Sequence, residues 1–138
     1  MNTIIVIGCT KTKSETPSPA REVYSASKLF YKEVAYVEKN YAYPWVILSG
    51  KLGIVAPDEV ISPYRFDPRT LNKTSSEHLL LISNIKKHLH NYDQIIAFCG
   101  KTYVELLQEA CTTSKIIEPL KGMGIGQRLR FLSKDVIA

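Results

Sequence analysis

Cysteine is scarce in this chain: three residues in 138, at Cys9, Cys99 and Cys111. Their number and irregular spacing cannot build a disulfide framework, and no C-x-x-C pair offers a zinc site, so they read as reduced thiols and no metal centre is expected. Long apolar runs are lacking too. Nothing approaches the roughly 18 continuous apolar residues that cross a bilayer, so no membrane partner is expected. The amino-terminal apolar run, Ile4 to Gly8, has no basic stretch before it, which predicts no signal peptide and a cytoplasmic location. There is neither a G-x-x-x-x-G-K-[ST] loop nor a G-x-G-x-x-G fingerprint, which excludes the P-loop ATPase and dinucleotide-enzyme classes and leaves no cofactor to expect.

Basic charge is not lacking. Eighteen Lys and Arg against thirteen Asp and Glu give +5. The excess sits at the two ends: four cations face two carboxylates over residues 1–28, and five face only Glu118 over residues 115–134. Such a bias suits a phosphate-bearing partner without requiring one.

With 45% hydrophobic and 22% charged residues, the chain is composed as one soluble domain spanning residues 1–138. Four short runs rich in β-branched residues read as buried strands: Ile4-Ile5-Val6-Ile7, Trp45-Val46-Ile47-Leu48, Gln94-Ile95-Ile96-Ala97-Phe98 and Lys115-Ile116-Ile117. Helical patterns lie between them. Phe30, Val34, Val37 and Tyr41 form one stripe after Ser27. Capping boxes at Thr74-Ser75-Ser76-Glu77 and Thr102-Tyr103-Val104-Glu105 open two further helices, and a last helix from about Gly124 is expected to bury Ile125, Leu129 and Leu132. Alternating strands and helices predict an α/β fold: a three-layer αβα sandwich around a four-stranded, mainly parallel sheet. The stretch from Gly50 to Lys73, broken by Pro57, Pro63 and Pro68, falls outside the repeat and is expected to pack, ordered, across one sheet edge.

Ligands of open parallel sheets bind at the carboxyl ends of the strands. Each of the four loops there holds glycine and lysine: Gly8 to Ser14 with Thr10, Lys11 and Lys13, Ser49 to Gly53 with Lys51, Cys99 to Thr102 with Gly100 and Lys101, and Lys121 to Gly126. Glycine admits an anion close to backbone N–H groups, a helix start adds donors, and lysine adds charge. The same residues also serve simply to shape turns and keep loops soluble. Cys9 ends the first strand before two lysines, the surroundings of a nucleophilic thiol; cysteine is equally a small buried hydrophobe. Asp58 and Glu59 could act as general base or hold a sugar hydroxyl, or Asp58 could cap a turn after Pro57. Tyr24, Tyr64 and Tyr103 could stack a base or belong to core and rim. His78, His88 and His90 fit the polar face and carboxyl end of the Thr74 helix.

The strings Cys9-Thr10-Lys11-Thr12-Lys13, Val23-Tyr24-Ser25-Ala26-Ser27-Lys28-Leu29-Phe30, Ile47-Leu48-Ser49-Gly50-Lys51-Leu52-Gly53 and Pro63-Tyr64 resemble a small bacterial and phage family of unknown function. Its pattern is C-x-K-K, L-Y-x-S-x-L-F, I-L-S-A-K-x-G-L and P-Y-D. Gly50 replaces the usual small residue, and Arg65 stands where an acidic one often follows the tyrosine. The layout is also similar to the uracil-DNA-glycosylase-like and YaaA-type folds, which implies strand order 2-1-3-4. The second string also resembles, faintly, the opening motif of deoxyribosyltransferases, although their glutamate nucleophile has no clear counterpart. Together these imply an enzyme acting on a nucleotide, nucleoside or nucleic acid, by N-glycosidic bond cleavage or exchange. Cys9, Asp58 and Glu59 would be its catalytic residues, and Thr10, Lys11, Lys13, Tyr24, Ser49, Lys51, Gly53, Tyr64, Gly100 and Lys101 would bind substrate. The rival expectation is a non-catalytic nucleic-acid or nucleotide-binding module.

Overall fold

The computed structural model describes residues 2–10, 15–64 and 75–137. In chain order its elements are β1 (Thr3–Gly8), β2 (Ser18–Pro19), α1 (Ala20–Tyr24), α2 (Lys28–Asn40), β3 (Trp45–Ser49), β4 (Gly53–Val55), β5 (Val60–Ile61), α3 (Ser76–Leu89), β6 (Gln94–Phe98), α4 (Lys101–Ala110), β7 (Lys115–Ile117) and α5 (Ile125–Ile137).

β1 is buried along its whole length, as a β-branched run without polar alternation requires. It lies at the centre of a five-stranded sheet ordered β4-β3-β1-β6-β7. The pairs β1–β3, β1–β6 and β6–β7 are parallel. The four parallel strands stand in the relative order expected, but a four-stranded sheet is corrected to five. β4 adds an antiparallel edge beside β3, with Val55 opposite Ile47. The sequence hides this strand because it is only three residues long and opens on a glycine. Gly53 takes φ +79°, and a Cβ there would come within 2.2 Å of Asn84 Oδ1, the atom that accepts the Ile54 N–H at 2.9 Å. The turn therefore needs glycine on both backbone and packing grounds.

Alternation along the strands splits the core into two faces. Ile4, Val6, Ile95 and Ala97 meet α3 and α4 on one side. Ile5, Ile7, Ile47, Ile96 and Phe98 meet α1, α2 and α5 on the other.

Helix starts follow local chemistry with two departures. Ser27 Oγ accepts the Phe30 N–H and Ser75 Oγ accepts the His78 N–H, as N-caps do. The second cap thus falls at Ser75 rather than one residue earlier. The Thr102 box does not form: α4 starts two residues sooner on Gly100, whose extended backbone already ends β6's loop. Ile125 is exposed rather than buried, being the first residue of α5, while Leu132 is fully buried. His78 is buried rather than on a polar face, because its Nε2 bonds Glu109 Oε2 at 2.8 Å between α3 and α4.

Candidate functional site

The chain leaves β1 for α1 and α2 on one face, and leaves β6 for α4 on the other. The reversal falls between the carboxyl ends of β1 and β6, the position where α/β sheets offer a crevice to ligands. Gly8 ends β1 beside Cys99, where a Cβ on it would make only ordinary contact, 3.4 Å from Cys99 Cα and Cβ.

Cys9 follows directly, half-buried, its N–H bonded to Leu48 O at 2.9 Å. Its sulfur lies between two phenols: the Tyr103 hydroxyl at 3.1 Å, and the Tyr64 hydroxyl, which donates to it at 3.9 Å. The Tyr64 hydroxyl also bonds the Tyr24 hydroxyl and Ser49 Oγ. Ser49 Oγ accepts the N–H groups of Lys51 and Leu52 at 3.2 and 3.0 Å, which orients it at the end of β3. Tyr24 comes from α1, Tyr64 from the segment after β5, Ser49 from β3 and Tyr103 from α4, so four separate parts of the chain meet over one thiol. Lys51 Nζ stands 5.4 Å from the Tyr64 ring centroid, a cation over an aromatic face.

Burial sets the protonation of these phenols. It pushes Tyr24 up to about 12, against the lowering effect of its hydrogen bond to Tyr64. Tyr64 and Tyr103 are raised further, by burial first and by the neighbouring Cys9 second. All three are neutral hydroxyls near neutral pH and keep protons to donate. Cys99, wholly buried behind them, is raised by burial and by Glu33, and its Sγ donates to Val6 O at 3.5 Å.

Of the expected residues, Cys9, Tyr24, Ser49, Lys51 and Tyr64 are thus brought together. Thr10 is half-buried beside Cys9. Lys11 and Lys13 lie outside the described residues. Gly53 meets the structural need already given. Asp58 and Glu59 are exposed. Pro57 and Asp58 are the central residues of a turn closed by Glu59 N–H to Ala56 O at 3.1 Å. The carbonyls of Pro57 and Glu59 accept the first N–H groups of α1, from Arg21 and Ala20. Because β4 runs antiparallel to β3, this turn lies toward the amino end of β3, away from the crevice. What the segment supplies to the site is Tyr64.

Lys101 opens α4 after the N-cap Gly100 and borders a second space, a cavity of about 410 Å³ between α4, the turn after β7 and the start of α5. Sequence reading overlooked Glu33 and Arg128. Glu33, 2% exposed, falls on the same helical stripe as Phe30 and Val37, a register that would have revealed it. Burial raises its carboxyl to about 8 although Arg128 opposes the shift.

No curated protein matches the chain, and no solved structure does. Residues 4–134 match the sequence profile described as Family of unknown function (DUF6884), nearly the whole chain, and the protein belongs to that family.

Proposed function

We propose that the protein is an enzyme acting on a nucleotide, nucleoside or nucleic-acid substrate, cleaving or exchanging an N-glycosidic bond in the crevice between β1 and β6. One observation carries this reading: a half-buried thiol at the carboxyl end of the central strand sits among neutral phenols that are hydrogen-bonded to it and to each other.

In hydrolysis of such a bond, the C1′–N bond breaks with both electrons passing to the base, and water adds to C1′. The water's protons end on the new sugar hydroxyl and on the released base. The difficult moment is the negative charge growing on the base. Preoriented neutral donors in a partly desolvated crevice stabilise that charge more than water does. The Tyr64 and Tyr103 hydroxyls are such donors. The Tyr64 ring has Lys51 over one face and forms a T-shaped pair with Tyr24 at 6.4 Å between centroids, so an aromatic surface on which a base could stack stands beside a cation. Cys9 lies where the reacting bond would meet both phenols.

Chromatography of nucleosides, nucleotides and short oligonucleotides incubated with the full chain tests the reading. Release or exchange of a free base is expected, and Tyr103→Phe should slow it by about 100-fold, the loss typical of one such donor. If no base is released from any of them while oligonucleotides bind and then dissociate steeply with salt, the chain is a binding module and the enzyme reading fails.

A further inference from the structure

Lys101 at the start of α4, Lys121 in the turn after β7 and Arg128 in the first turn of α5 come from three separate parts of the chain, yet all border the 410 Å³ cavity. Its volume falls within the range that accepts small ligands. We infer that this cavity is a subsite for a phosphate monoester carried by a hydroxylated sugar.

Arg128 is held in advance of any ligand. Its Nε donates to Met123 O at 3.0 Å and its Nη1 to Cys99 O at 3.4 Å, which fixes the plane of the guanidinium. Of the five N–H donors that a guanidinium carries, those two bonds leave three. A planar, anchored fork matches the oxygens of a phosphate. α4 begins on Gly100 with no side-chain cap, and its first intrahelical bond is Val104 N–H to Gly100 O at 3.0 Å. A Cβ at Gly100 or at Gly122 would meet nothing within 4 Å, so backbone lies open at both bends. Gly122, at φ +81°, supplies the left-handed turn that follows Lys121.

The remaining wall defines the rest of the ligand. Glu105, Gln108 and Glu118 border the same space and are acceptors suited to sugar hydroxyls. Two carboxylates beside three cations disfavour a triphosphate and suit a single phosphate joined to a sugar. That the ligand is the substrate of base release rests on the function proposed above; that the cavity takes a sugar phosphate does not.

Calorimetric titration of ribose 5-phosphate, inorganic phosphate and ribose into the full chain at constant ionic strength tests the inference. Saturable binding of ribose 5-phosphate is expected, at least tenfold tighter than ribose. Lys101→Ala combined with Lys121→Ala should weaken it at least tenfold, with the melting midpoint of the exposed double variant unchanged as a control for folding. Arg128→Lys, which keeps the charge but loses the fork, should weaken it several-fold. Equal affinity for ribose and ribose 5-phosphate, or unchanged affinity in the double variant, overturns the subsite. Base release without sugar-phosphate binding defeats the subsite alone, whereas sugar-phosphate binding without base release from any nucleotide defeats the enzyme alone.

Discussion

Against one face of the sheet pack Leu81, Ile85, Leu89, Leu106 and Leu107, the aliphatic stripes of α3 and α4. The other, which includes Phe98 of β6, is covered by Tyr24 and Phe30, with Tyr36, Tyr41, Tyr64 and Phe131 at its margin. Among the described residues each face also buries one histidine or carboxylic acid, and the two are held differently. His78 is tied by hydrogen bond to the half-exposed Glu109, so it reaches water through its partner. Glu33 has Arg128 nearby, but burial dominates and holds its carboxyl protonated at neutral pH. The aliphatic face secures α3 and α4 by area and shape, with the His78–Glu109 bond between the two helices beside it. The aromatic face combines packing with phenol hydroxyls that must be hydrogen-bonded once buried. It pays in desolvated polar groups, and those groups converge at the mouth of the crevice. Tyr103 is the exception that joins the two, packing among the aliphatic residues while its hydroxyl reaches Cys9.

This contrast can be broken experimentally. The largest stability loss is expected on the aliphatic face, where Leu107 is fully buried: Leu107→Ala should cost about 2–5 kcal/mol in denaturant unfolding. Tyr103→Phe on the same face removes one oxygen and should stay within about 1 kcal/mol while slowing base release. Equal losses for the two variants would mean that the tyrosine network is structural.

Glu33 predicts a pH effect. Its folded value of about 8 exceeds the ordinary 4.5, so the folded chain holds an extra proton between those values. The resulting stability is full below the lower value and is lost as pH rises through the higher one. Unfolding free energies measured from pH 5 to pH 9 should therefore fall for the wild type and hold steady for Glu33→Gln, diverging by roughly 2–5 kcal/mol. Parallel curves would place the ionised carboxylate in the folded state.

Smaller effects sharpen the boundaries. Gly53→Ala should cost about 1–3 kcal/mol through its positive φ and the clash with Asn84, without altering the crevice chemistry. Ser27→Ala and Ser75→Ala should each cost about 1 kcal/mol, read from thermal midpoints, because each removes an N-cap acceptor. A loss near zero at either position would show that solvent replaces the cap.

Much of the fold was legible from local pattern. β1, β3 and β6 announce themselves because burial demands unbroken β-branched runs, and α2 because its stripe repeats every three to four residues; β7, expected to be buried as well, is exposed to half-buried because it lies at the sheet edge. β4 and α1 were not legible. Each is five residues or fewer and owes its existence to partners elsewhere: β4 to the exposed edge of β3, and α1 to carbonyls of Pro57 and Glu59 far along the chain. In the site, Cys9, Ser49 and Lys51 could be nominated from the rule that ligands lie beyond strand ends. Tyr103 could be nominated only as a face on which a base could stack, and nothing in the sequence placed its hydroxyl against Cys9. Glu33 was overlooked because a carboxylate on an apolar stripe reads as an interruption rather than as a buried acid.

By itself the sequence determined the alternation of strands and helices, the parallel sheet and the set of loops at its carboxyl edge, since these follow from periodicity and from the short reach of backbone hydrogen bonds. Only the tertiary structure decided which loops meet. The reversal between β1 and β6 brings Cys9 to Tyr103 across 94 positions of chain, and the return of the segment after β5 brings Tyr64 to Cys9. Contacts of that separation depend on how layers stack around a twisted sheet, and no local pattern of residues records it.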